Sequence, residues 1–414
     1  MSSLQPVRGT HDILPEESRR HRHVVDTARR VSERYGYGEI STPIFEFTEV
    51  FARTLGETSD IVTKEMYTFQ DRGGDGITLR PEGTAGIARA FISGGLAQEL
   101  PLKFFYTGPM FRYERPQKGR LRQFHQFGVE LLGVATPQAD IEVIALAAQA
   151  LQEIGALGKT KLEINTLGDK ESREAYRNVL VDYLSAHHAK LSEDSRIRLE
   201  RNPLRILDSK DEGDRQVLTD APPFRNYLTP ASEAFFAKVT AGLKALGITF
   251  DWNPRLVRGL DYYCHTAFEF TTEHLGAQGT VLAGGRYDGL IGVMGGRDTP
   301  GVGWAAGIER LGMLVDNVPA APRPIAVIPA GEDGEDTALR IAQDLRRAGF
   351  AVDLGYSGNL SKRMKRANKL HARAAVILGE DEKSRGAAAV RDLDSGEQSE
   401  VKLASLAQHL ANFR

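Results

Sequence analysis

The pattern of apolar and polar residues divides the chain into a strand-rich region, a helical stretch and a final region where strands and helices alternate. Apolar residues recur at helical spacing over residues 16–34 and 140–154, which predicts two amphipathic helices. Short apolar segments bounded by Gly, Pro or polar clusters predict strands. Those in the first 310 residues are 39–46, 104–111, 124–129, 162–167, 256–272 and a segment starting at 279.

Residues 111–130 carry a concentration of positive charge between two predicted strands. The cations are Arg112, Arg115, Lys118, Arg120 and Arg122, opposed only by two glutamates. Residues 116–119 have the composition of a turn, so the segment is predicted to be a β-hairpin with a basic tip. A guanidinium group binds phosphate through two parallel hydrogen bonds, so such a tip is suited to binding phosphate. The alternative is a solvated charged hairpin without a ligand.

The return strand of this hairpin argues for a pocket. Side chains alternate across a strand, so Phe124, Gln126, Gly128 and Glu130 share one face. An aromatic ring, an amide, a gap and a carboxylate make an unusual core face. The pattern instead indicates the floor of a polar pocket.

Two segments before the hairpin indicate a strand at a sheet edge or interface and a carboxylate beside a helix N-terminus. Pro43 interrupts the predicted strand 39–46 and lacks a backbone donor, which favours a position at a sheet edge or interface. A helix is predicted over 85–91, with Thr84 as a possible cap and Glu82 just before its N-terminus. That carboxylate is either a partner of the helix dipole or a ligand group beside exposed amides.

Residues 169–247 are highly charged and mostly helical, and they interrupt the strand-rich region. They are predicted to be a helical insertion of roughly 80 residues. In the strand predicted next, Arg258 and Tyr262 share a face and Tyr263 points the other way. If Arg258 and Tyr263 reach one pocket, the backbone must bend, and Gly259 is the available bend point.

The last third contains a glycine-rich strand, a linker and a second domain. Gly301, Gly303 and Gly307 leave room for a flat group, and Arg310 begins the following helix. The Pro/Ala-rich residues 318–323 predict a domain boundary, beyond which alternating strands and helices predict a mixed sheet flanked by helices. The helix predicted over 360–370 has no acid, which favours phosphate binding over a merely solvated basic helix. Its candidate contacts are Lys362, Arg363, Lys365 and Arg366.

Composition narrows the class of protein. The chain has 414 residues, 41% of them hydrophobic and 26% charged, which is typical of globular proteins. Its one cysteine, Cys264, excludes an internal disulfide and a cysteine-based zinc site. No apolar run is long enough to span a membrane, and the N-terminus lacks the apolar core of a signal peptide, so we expect a cytoplasmic protein. The net charge of −2 means that any nucleic acid must meet local basic patches.

Together these groups indicate a nucleotide-using enzyme with a separate basic domain. Arginines from separate elements, two candidate pocket acids and one aromatic platform suit a polyphosphate beside a small amino compound. Phosphoryl chemistry depends on alignment and charge stabilisation more than on a covalent protein group. A plain RNA-binding module would leave the pocket acids unexplained.

Six motifs in order extend this interpretation. Residues 38–46, 111–130 and 301–311 resemble motifs one, two and three of class II aminoacyl-tRNA synthetases. The stretches LVRGLDYYCHTAFEF from Leu256 and AGGRYDGLI from Ala283, together with LRPEGTA from Leu79, resemble the histidyl-tRNA synthetase family within that class.

The resemblance implies a fold, an activity and an assembly. The fold is an α+β catalytic domain with a mainly antiparallel sheet over 1–320, interrupted by the helical insertion at about 169–250. An anticodon-binding α/β domain with a mixed sheet follows over 324–414. The implied activity converts L-histidine and ATP to histidyl-adenylate and pyrophosphate, then transfers histidine to the 3′-terminal adenosine of tRNA(His). The implied assembly is a homodimer.

The resemblance also implies roles for individual residues. Arg112 and Arg258 would be catalytic, at the α-phosphate and the substrate carboxylate. The other residues implied to bind histidine are Glu82, Gly83, Thr84, Gln126, Glu130, Tyr262 and Tyr263. The implied ATP-binding residues are Arg112, Glu114, Arg120, Phe124 and Arg310. Arg115 and Gln117 would meet tRNA with the basic helix. Mg²⁺ would accompany ATP, and no metal fixed by protein ligands is expected.

One alternative within the same superfamily remains. A paralogue of this catalytic domain is a regulatory subunit of ATP phosphoribosyltransferase and does not aminoacylate tRNA. It lacks the C-terminal domain and departs from the stretch around Arg258, whereas this chain keeps both.

Overall fold

The structure is a computed structural model that describes residues 4–55, 61–257, 262–276, 279–331 and 334–413. It divides into two compact units, residues 1–318 and residues 319–414. Within the described residues, no helix is long and apolar enough to cross a membrane.

The first unit contains eleven labelled strands within its described part. They are β1 (Gly38–Glu39), β2 (Phe45–Phe47), β3 (Tyr67–Gln70), β4 (Gly76–Leu79), β5 (Leu102–Phe111), β6 (Gln123–Leu132), β7 (Lys161–Thr166), β8 (Asp251–Trp252), β9 (Cys264–Thr271), β10 (Thr280–Arg286) and β11 (Gly301–Gly307). Its helices are α1 (Pro15–Arg34), α2 (Thr48–Leu55), α3 (Thr84–Ser93), α4 (Pro137–Ile154), α5 (Lys170–Ala186), α6 (Glu193–Arg201), α7 (Glu212–Thr219), α8 (Pro230–Ala245), α9 (Leu290–Val293) and α10 (Ile308–Leu314).

Eight strands form the main sheet, in the order β1-β5-β6-β11-β10-β9-β7-β8. The central pairs run antiparallel, and the edge strands β1 and β8 pair in parallel with β5 and β7. The prediction of a mainly antiparallel sheet is therefore confirmed. The hairpin strands β5 and β6 lie side by side, and β11 pairs with β6 on its other edge.

The two faces of β6 have different neighbours, as the two-residue alternation requires. Phe127 and Val129 join the main core, where Phe127 stacks on Phe105 at 5.6 Å and helices α1, α4 and α10 pack on the sheet. The opposite face carries Gln126 and Glu130 and lies toward α3 and α9. The polar face is therefore the one that can bind a ligand.

Two predicted strands differ in the structure. Residues 39–46 form two strands, β1 at the edge of the main sheet and β2 at the edge of a smaller sheet of order β2-β4-β3. Pro43 lies in the break between them, because it cannot donate a ladder hydrogen bond. The strand predicted over 256–272 begins only at Cys264, since Tyr262 and Tyr263 precede the ladder.

The predicted helical insertion corresponds to α5–α8. The helices α5, α6 and α7 share a core of their own that includes Tyr176, Leu180 and Val217. Helix α8 packs instead on α4 of the main unit, where Val239 and Leu243 enter the main core.

The second unit is a five-stranded mixed sheet with helices, as predicted. Its elements are β12 (Ile325–Pro329), α11 (Glu335–Arg347), β13 (Val352–Leu354), α12 (Leu360–Lys369), β14 (Ala374–Leu378), α13 (Glu380–Ser384), β15 (Ala387–Asp392), β16 (Gln398–Lys402) and α14 (Leu406–Leu410). The order is β13-β12-β14-β15-β16, with the first three strands parallel and the last two antiparallel. The sequence analysis did not include β15 and β16.

Candidate active site

The central hairpin has the predicted form. Strands β5 and β6 pair from Leu102 with Leu132 to Phe111 with Gln123. At the tip, the backbone groups of Gln117 and Arg120 bond reciprocally at 3.0 and 2.9 Å. Arg115 and Gln117 are exposed there, so the tip presents both side chains to solvent.

The polar face of β6 borders a cavity of about 430 Å³, a volume typical of small-molecule sites. Phe124 and Gln126 line it. Gly128 is required beside them, because a Cβ there would lie 2.4 Å from Cζ of Tyr106. The Oε1 atom of Gln126 is buried and has no hydrogen-bond partner among the described residues. That oxygen is therefore available to a bound molecule.

Glu130 is 1% exposed and lies behind the residues that line this cavity rather than among them. Its carboxylate accepts a hydrogen bond of 2.7 Å from the Thr84 hydroxyl and another from the Tyr287 hydroxyl, and both donors line the cavity. Burial raises the pKa of Glu130 to about 8, although those two hydrogen bonds act in the opposite direction. A carboxyl group with such a pKa responds strongly to a hydrogen-bond donor or a positive charge brought by a substrate.

Glu82, in the segment before α3, lies at the helix N-terminus and also lines the cavity. Its carboxylate accepts hydrogen bonds from the backbone N–H groups of Thr84 (2.7 Å) and Ala85 (2.8 Å) and so caps the helix. The hypothesis that Thr84 is the cap is wrong, because its hydroxyl donates to Glu130. Gly83 allows close packing, since a Cβ there would lie 2.3 Å from the Tyr106 ring. Burial raises the pKa of Glu82.

Arg112 begins the hairpin loop and lines the cavity. Its Nε donates a hydrogen bond of 2.9 Å to the carbonyl of Pro81. The guanidinium carbon lies 5.3 Å from the centre of the Phe124 ring. The cation and the aromatic platform are thus neighbours on one wall of the cavity.

Glu114 and Arg120 form an ion pair on the same wall, including a bond of 2.9 Å from a terminal guanidinium nitrogen to Oε1. Burial acts to raise the pKa of Glu114, but the hydrogen bond from Arg120 and the charge of Arg112 hold it below its usual range. In this arrangement the two side chains bind one another, so a ligand that contacts either must compete with the pair.

Arg310 approaches the cavity from α10. Its Nε donates to the carbonyl of Gly119 at 2.8 Å, and a terminal nitrogen donates to the carbonyl of Thr280 at 2.6 Å. Burial lowers the pKa of Arg310. These bonds join the hairpin loop to β10, which holds the guanidinium group at the cavity wall.

The glycines of β11 have a different use from the one predicted. A Cβ at Gly301 would lie 2.2 Å from the Tyr287 ring, and one at Gly303 would lie 1.9 Å from Oε2 of Glu130. The space at these two positions is filled by the protein's own side chains. Of the three glycines, Gly307 alone has room: a Cβ there would lie 3.6 Å from the nearest side chain, Arg310, which is an ordinary contact distance.

Tyr262 and Tyr263 both line the cavity, with ring centres 4.6 Å apart. Strand alternation predicted opposite directions for them, but it does not apply because the strand starts at Cys264. Arg258 and the proposed bend at Gly259 lie outside the described residues.

The cavity lining also includes residues that were not predicted from the sequence, among them Tyr106, Tyr287, Asp208 and Lys210. Tyr287 belongs to the AGGRYDGLI stretch, which was used only for the family resemblance. Tyr106 lies opposite Gly128 in the hairpin register, and a glycine facing a large residue was its available signal. Asp208 and Lys210 come from the helical insertion, and no local pattern connects them to the hairpin.

His125 points away from the cavity face, as expected. Its backbone N–H donates to both oxygens of Glu309 at 2.9 and 3.0 Å, and its Nδ1 lies 2.8 Å from the same carboxylate. With His21 these side chains bring ligand-type atoms within 4.8 Å of one another. The contacts with Glu309 join β6 to α10, which is a structural role.

A larger groove of about 1140 Å³ runs beside α4 and β7. It is bordered by residues such as Gln149, Lys161 and Phe250, and it contains none of the predicted site residues. The predicted chemistry therefore belongs to the smaller cavity.

The basic helix α12 requires a correction. Arg363 is only 7% exposed, pairs with Glu335 at 3.1 Å and donates to the carbonyl of Pro329, so it does not face a phosphate backbone. Arg366 is exposed but pairs with Asp353 at 2.9 Å. The acids that balance the positive charges of these two arginines lie on other elements, so the local sequence did not reveal them.

Two models of known protein families match the chain. The family model described as histidyl-tRNA synthetase matches residues 9–311, and one described as anticodon binding domain matches residues 324–412. The chain belongs to the histidyl-tRNA synthetase family.

Relatives from bacteria match over the whole length. The chain is 68% identical to a histidine–tRNA ligase of Rhodospirillum rubrum and 58% identical to one of Gluconacetobacter diazotrophicus, covering 100% of both chains in each case. The crystal structure of apo S. aureus histidyl-tRNA synthetase matches with a TM-score of 0.82 at 34% identity, covering 98% of this chain and 99% of that one.

The comparisons also address the regulatory-subunit alternative. That alternative required the C-terminal domain to be missing, whereas the anticodon-binding model matches here. The histidyl-tRNA synthetase model matches from before the hairpin to the end of the third motif, so the cavity lies within the matched region.

Proposed function

We propose that the cavity beside β6 is where this ligase joins L-histidine to ATP, before histidine is transferred to the 3′-terminal adenosine of tRNA(His). The observation that carries the proposal is the buried carboxylate of Glu130 beneath one part of a cavity whose walls also present Arg112, Arg120 and Arg310. A site for an imidazole and a site for a polyphosphate thus share one space.

The histidine side chain binds at the floor. Glu130, Thr84 and Tyr287 form a hydrogen-bonded group there, with Tyr263 beside it, and these match the two ring nitrogens of imidazole. An amino acid without those nitrogens leaves polar groups unpaired, which supports discrimination by roughly 10⁴-fold or more.

The α-amino group binds near Gln126 and Glu82. The buried Oε1 of Gln126 is an acceptor with no partner among the described residues, which suits an ammonium donor. Glu82 already accepts two backbone hydrogen bonds, so it contributes mainly negative charge. Gly83 and Tyr262 are packing members of this part of the site.

ATP occupies the arginine-lined part. Phe124 and Arg310 hold the adenine between a ring and a guanidinium group, and Arg112 contacts the α-phosphate. Glu114 and Arg120 separate from one another to meet the adenine edge and the distal phosphates. Arg258 is proposed for the α-phosphate on the family resemblance alone.

Mg²⁺ would accompany ATP, carried mainly by the phosphates. Glu114, Asp208 and Glu309 border the cavity and are the carboxylates that could hold a hydrated Mg²⁺ there. Such an ion would neutralise phosphate charge.

The chemistry needs no general base in its first step. The histidine carboxylate is ionised at neutral pH and attacks the α-phosphorus, while Arg112 aligns the phosphate and stabilises its developing charge. In the second step the 3′-hydroxyl of the terminal adenosine attacks the adenylate carbonyl, and AMP leaves. The protein's contribution in both steps is alignment and electrostatic stabilisation.

The tRNA is held at two places. Arg115 and Gln117 at the hairpin tip are exposed and suit the acceptor end. In the anticodon-binding unit, Lys362, Lys365 and Arg366 are exposed on α12 and suit backbone phosphates. Arg363 is excluded from this set by its burial.

The active form is a homodimer in the cytoplasm. Ile44, Phe45, Phe47 and Phe69 are exposed on or beside the small sheet β2-β4-β3, and β2 is its edge strand. Apolar groups concentrated in this way indicate an interface, and a second copy of the chain can cover them symmetrically.

Substitutions in the two parts of the cavity test this division. In histidine-dependent exchange of pyrophosphate into ATP, Tyr287→Phe should raise KM for histidine and leave KM for ATP unchanged. Arg310→Lys should raise KM for ATP alone, because a lysine cannot stack as a plane on adenine. The assignment would be overturned if Tyr287→Phe raised KM for ATP and Arg310→Lys raised KM for histidine.

A further inference from the structure

The helical insertion contributes to the cavity that holds the hairpin residues. Asp208 and Lys210 line it together with Arg112 and Arg120. Asp208 ends a 3₁₀ turn (Pro203–Asp208), and Lys210 lies in the short connection between that turn and α7. The insertion therefore reaches the site where the reaction occurs.

This connection is anchored on both sides of Lys210. The hydroxyl of Ser209 donates a 2.6 Å hydrogen bond to Asp214, a fully buried carboxylate. Asp211 caps α7 by accepting a hydrogen bond from the backbone of Asp214 at 3.1 Å. The backbone at Lys210 is thus fixed by its neighbours, while its own side chain is exposed toward the cavity.

The insertion also contacts the histidine end of the site. Arg173 of α5 donates a hydrogen bond of 2.8 Å to the backbone carbonyl of Tyr263. Both residues border a small cavity of about 80 Å³ that Leu204 and Leu207 of the 3₁₀ turn also line. The 3₁₀ turn that precedes Lys210 thus borders the same small cavity as Tyr263.

Charge distinguishes Lys210 from the neighbouring cation. Arg120 is neutralised by Glu114, whereas Lys210 has no ion pair or side-chain hydrogen bond within the described part of the chain. A lysine that contacts only solvent can lie anywhere on the protein surface. One that lines a cavity beside two arginines adds positive charge where the proposed substrate carries its phosphates.

We propose that Lys210 is a phosphate-binding residue of the active site, through which the helical insertion holds the β- and γ-phosphates of ATP. The inference rests on the proposed function above, since it assigns the ATP tail to this part of the cavity. It gives the insertion a role in adenylate formation, before any tRNA is bound. A tRNA phosphate has the same chemistry, so the assay must separate the two sources.

Pyrophosphate exchange without tRNA makes that separation. Lys210→Gln should raise KM for ATP about tenfold, the size expected for loss of a hydrogen bond between charged groups, and leave KM for histidine within twofold. Lys210→Arg should retain most of the affinity because it keeps the charge. Lys238→Gln is the matched control, since Lys238 is an exposed lysine of α8, away from the cavity lining.

Three results would overturn the inference. In the first, Lys210→Gln and Lys238→Gln both stay within twofold of the wild type. In the second, KM for ATP is unchanged but KM for tRNA rises in the charging assay, which assigns the lysine to tRNA. In the third, Lys210→Arg is as impaired as Lys210→Gln, which indicates a structural effect. If the wild type itself shows no histidine-dependent exchange, the proposed function fails instead.

Discussion

Glu130→Gln removes one buried titratable group and almost no volume. The carboxylate is confined between Thr84, Tyr287 and the backbone of Gly303, so a larger side chain has no room. Both hydrogen-bond partners are hydroxyl groups, whose protons can rotate. The amide of a glutamine can therefore accept from one of them and donate to the other.

The pKa of Glu130 sets the size of the effect on stability. It is about 8 in the folded protein, against an ordinary value of 4.5. The folded state therefore keeps its proton where the unfolded state has lost it, and stability falls as the pH rises from about 4.5 to 8. The difference of 3.5 pKa units, at about 1.4 kcal/mol each, corresponds to a loss of about 5 kcal/mol.

The variant lacks this titration and should gain stability relative to the wild type across that window. Trp252 and Trp304 are the only tryptophans in the sequence and both lie in the first unit, so their fluorescence follows unfolding of the unit that contains Glu130. Denaturant unfolding of the ligand-free protein between pH 5.5 and 8.5 gives the free energy of unfolding. We expect the advantage of Glu130→Gln to grow with pH and to level off above about pH 8.

A matched substitution separates this effect from general loss of charge. Glu33→Gln removes an exposed carboxylate from α1, and its effect should not change over the same range. A difference between wild type and Glu130→Gln that is independent of pH would refute the reasoning. So would a wild type that gains stability over the variant as the pH rises.

Three further predictions concern the other parts of the chain. A chain ending at Val318 should retain histidine-dependent pyrophosphate exchange and lose most tRNA charging, and equal loss of both would make the second unit part of the catalytic fold. Lys365→Gln should raise KM for tRNA, most at low salt, whereas Arg363→Gln should lower the free energy of unfolding of the second unit by about 1–3 kcal/mol. A loss of stability in Lys365→Gln together with a raised KM for tRNA in Arg363→Gln would contradict the positions of the two side chains on α12. Phe47→Glu should shift sedimentation from dimer to monomer, and an unchanged coefficient would exclude this sheet as the interface.

The hairpin could be predicted because its information is local. Two strands, a turn and a two-residue alternation placed Phe124, Gln126 and Glu130 on one face without reference to the rest of the chain. The antiparallel main sheet was implied by the family resemblance, and the alternation of strands and helices indicated the mixed sheet of the second unit; the structure confirms both sheets.

Features that depend on distant contacts were not accessible in this way. Lys210 reaches the cavity only because the insertion folds back onto Tyr263. The charges of Arg363 and Arg366 are balanced by Glu335 and Asp353, which are distant in sequence.

The prediction of a strand over 256–272 is correct only for its second half. Residues 264–271 form β9, but Tyr262 and Tyr263 precede the ladder despite their strand-like composition, and His265 near its start has a positive φ of 44°. Side-chain alternation therefore gave the wrong relation between Tyr262 and Tyr263. A composition typical of strands does not show where hydrogen bonding begins.

Amino-acid-dependent exchange of pyrophosphate into ATP, measured with each of the twenty amino acids, is the decisive test of the proposed histidine site. We expect the wild type to respond to histidine alone and Glu130→Gln to lose most of this response, because an amide replaces the buried carboxyl group that meets the imidazole. Exchange supported equally by another amino acid, or an unchanged histidine response in Glu130→Gln, would contradict the assignment of the cavity floor.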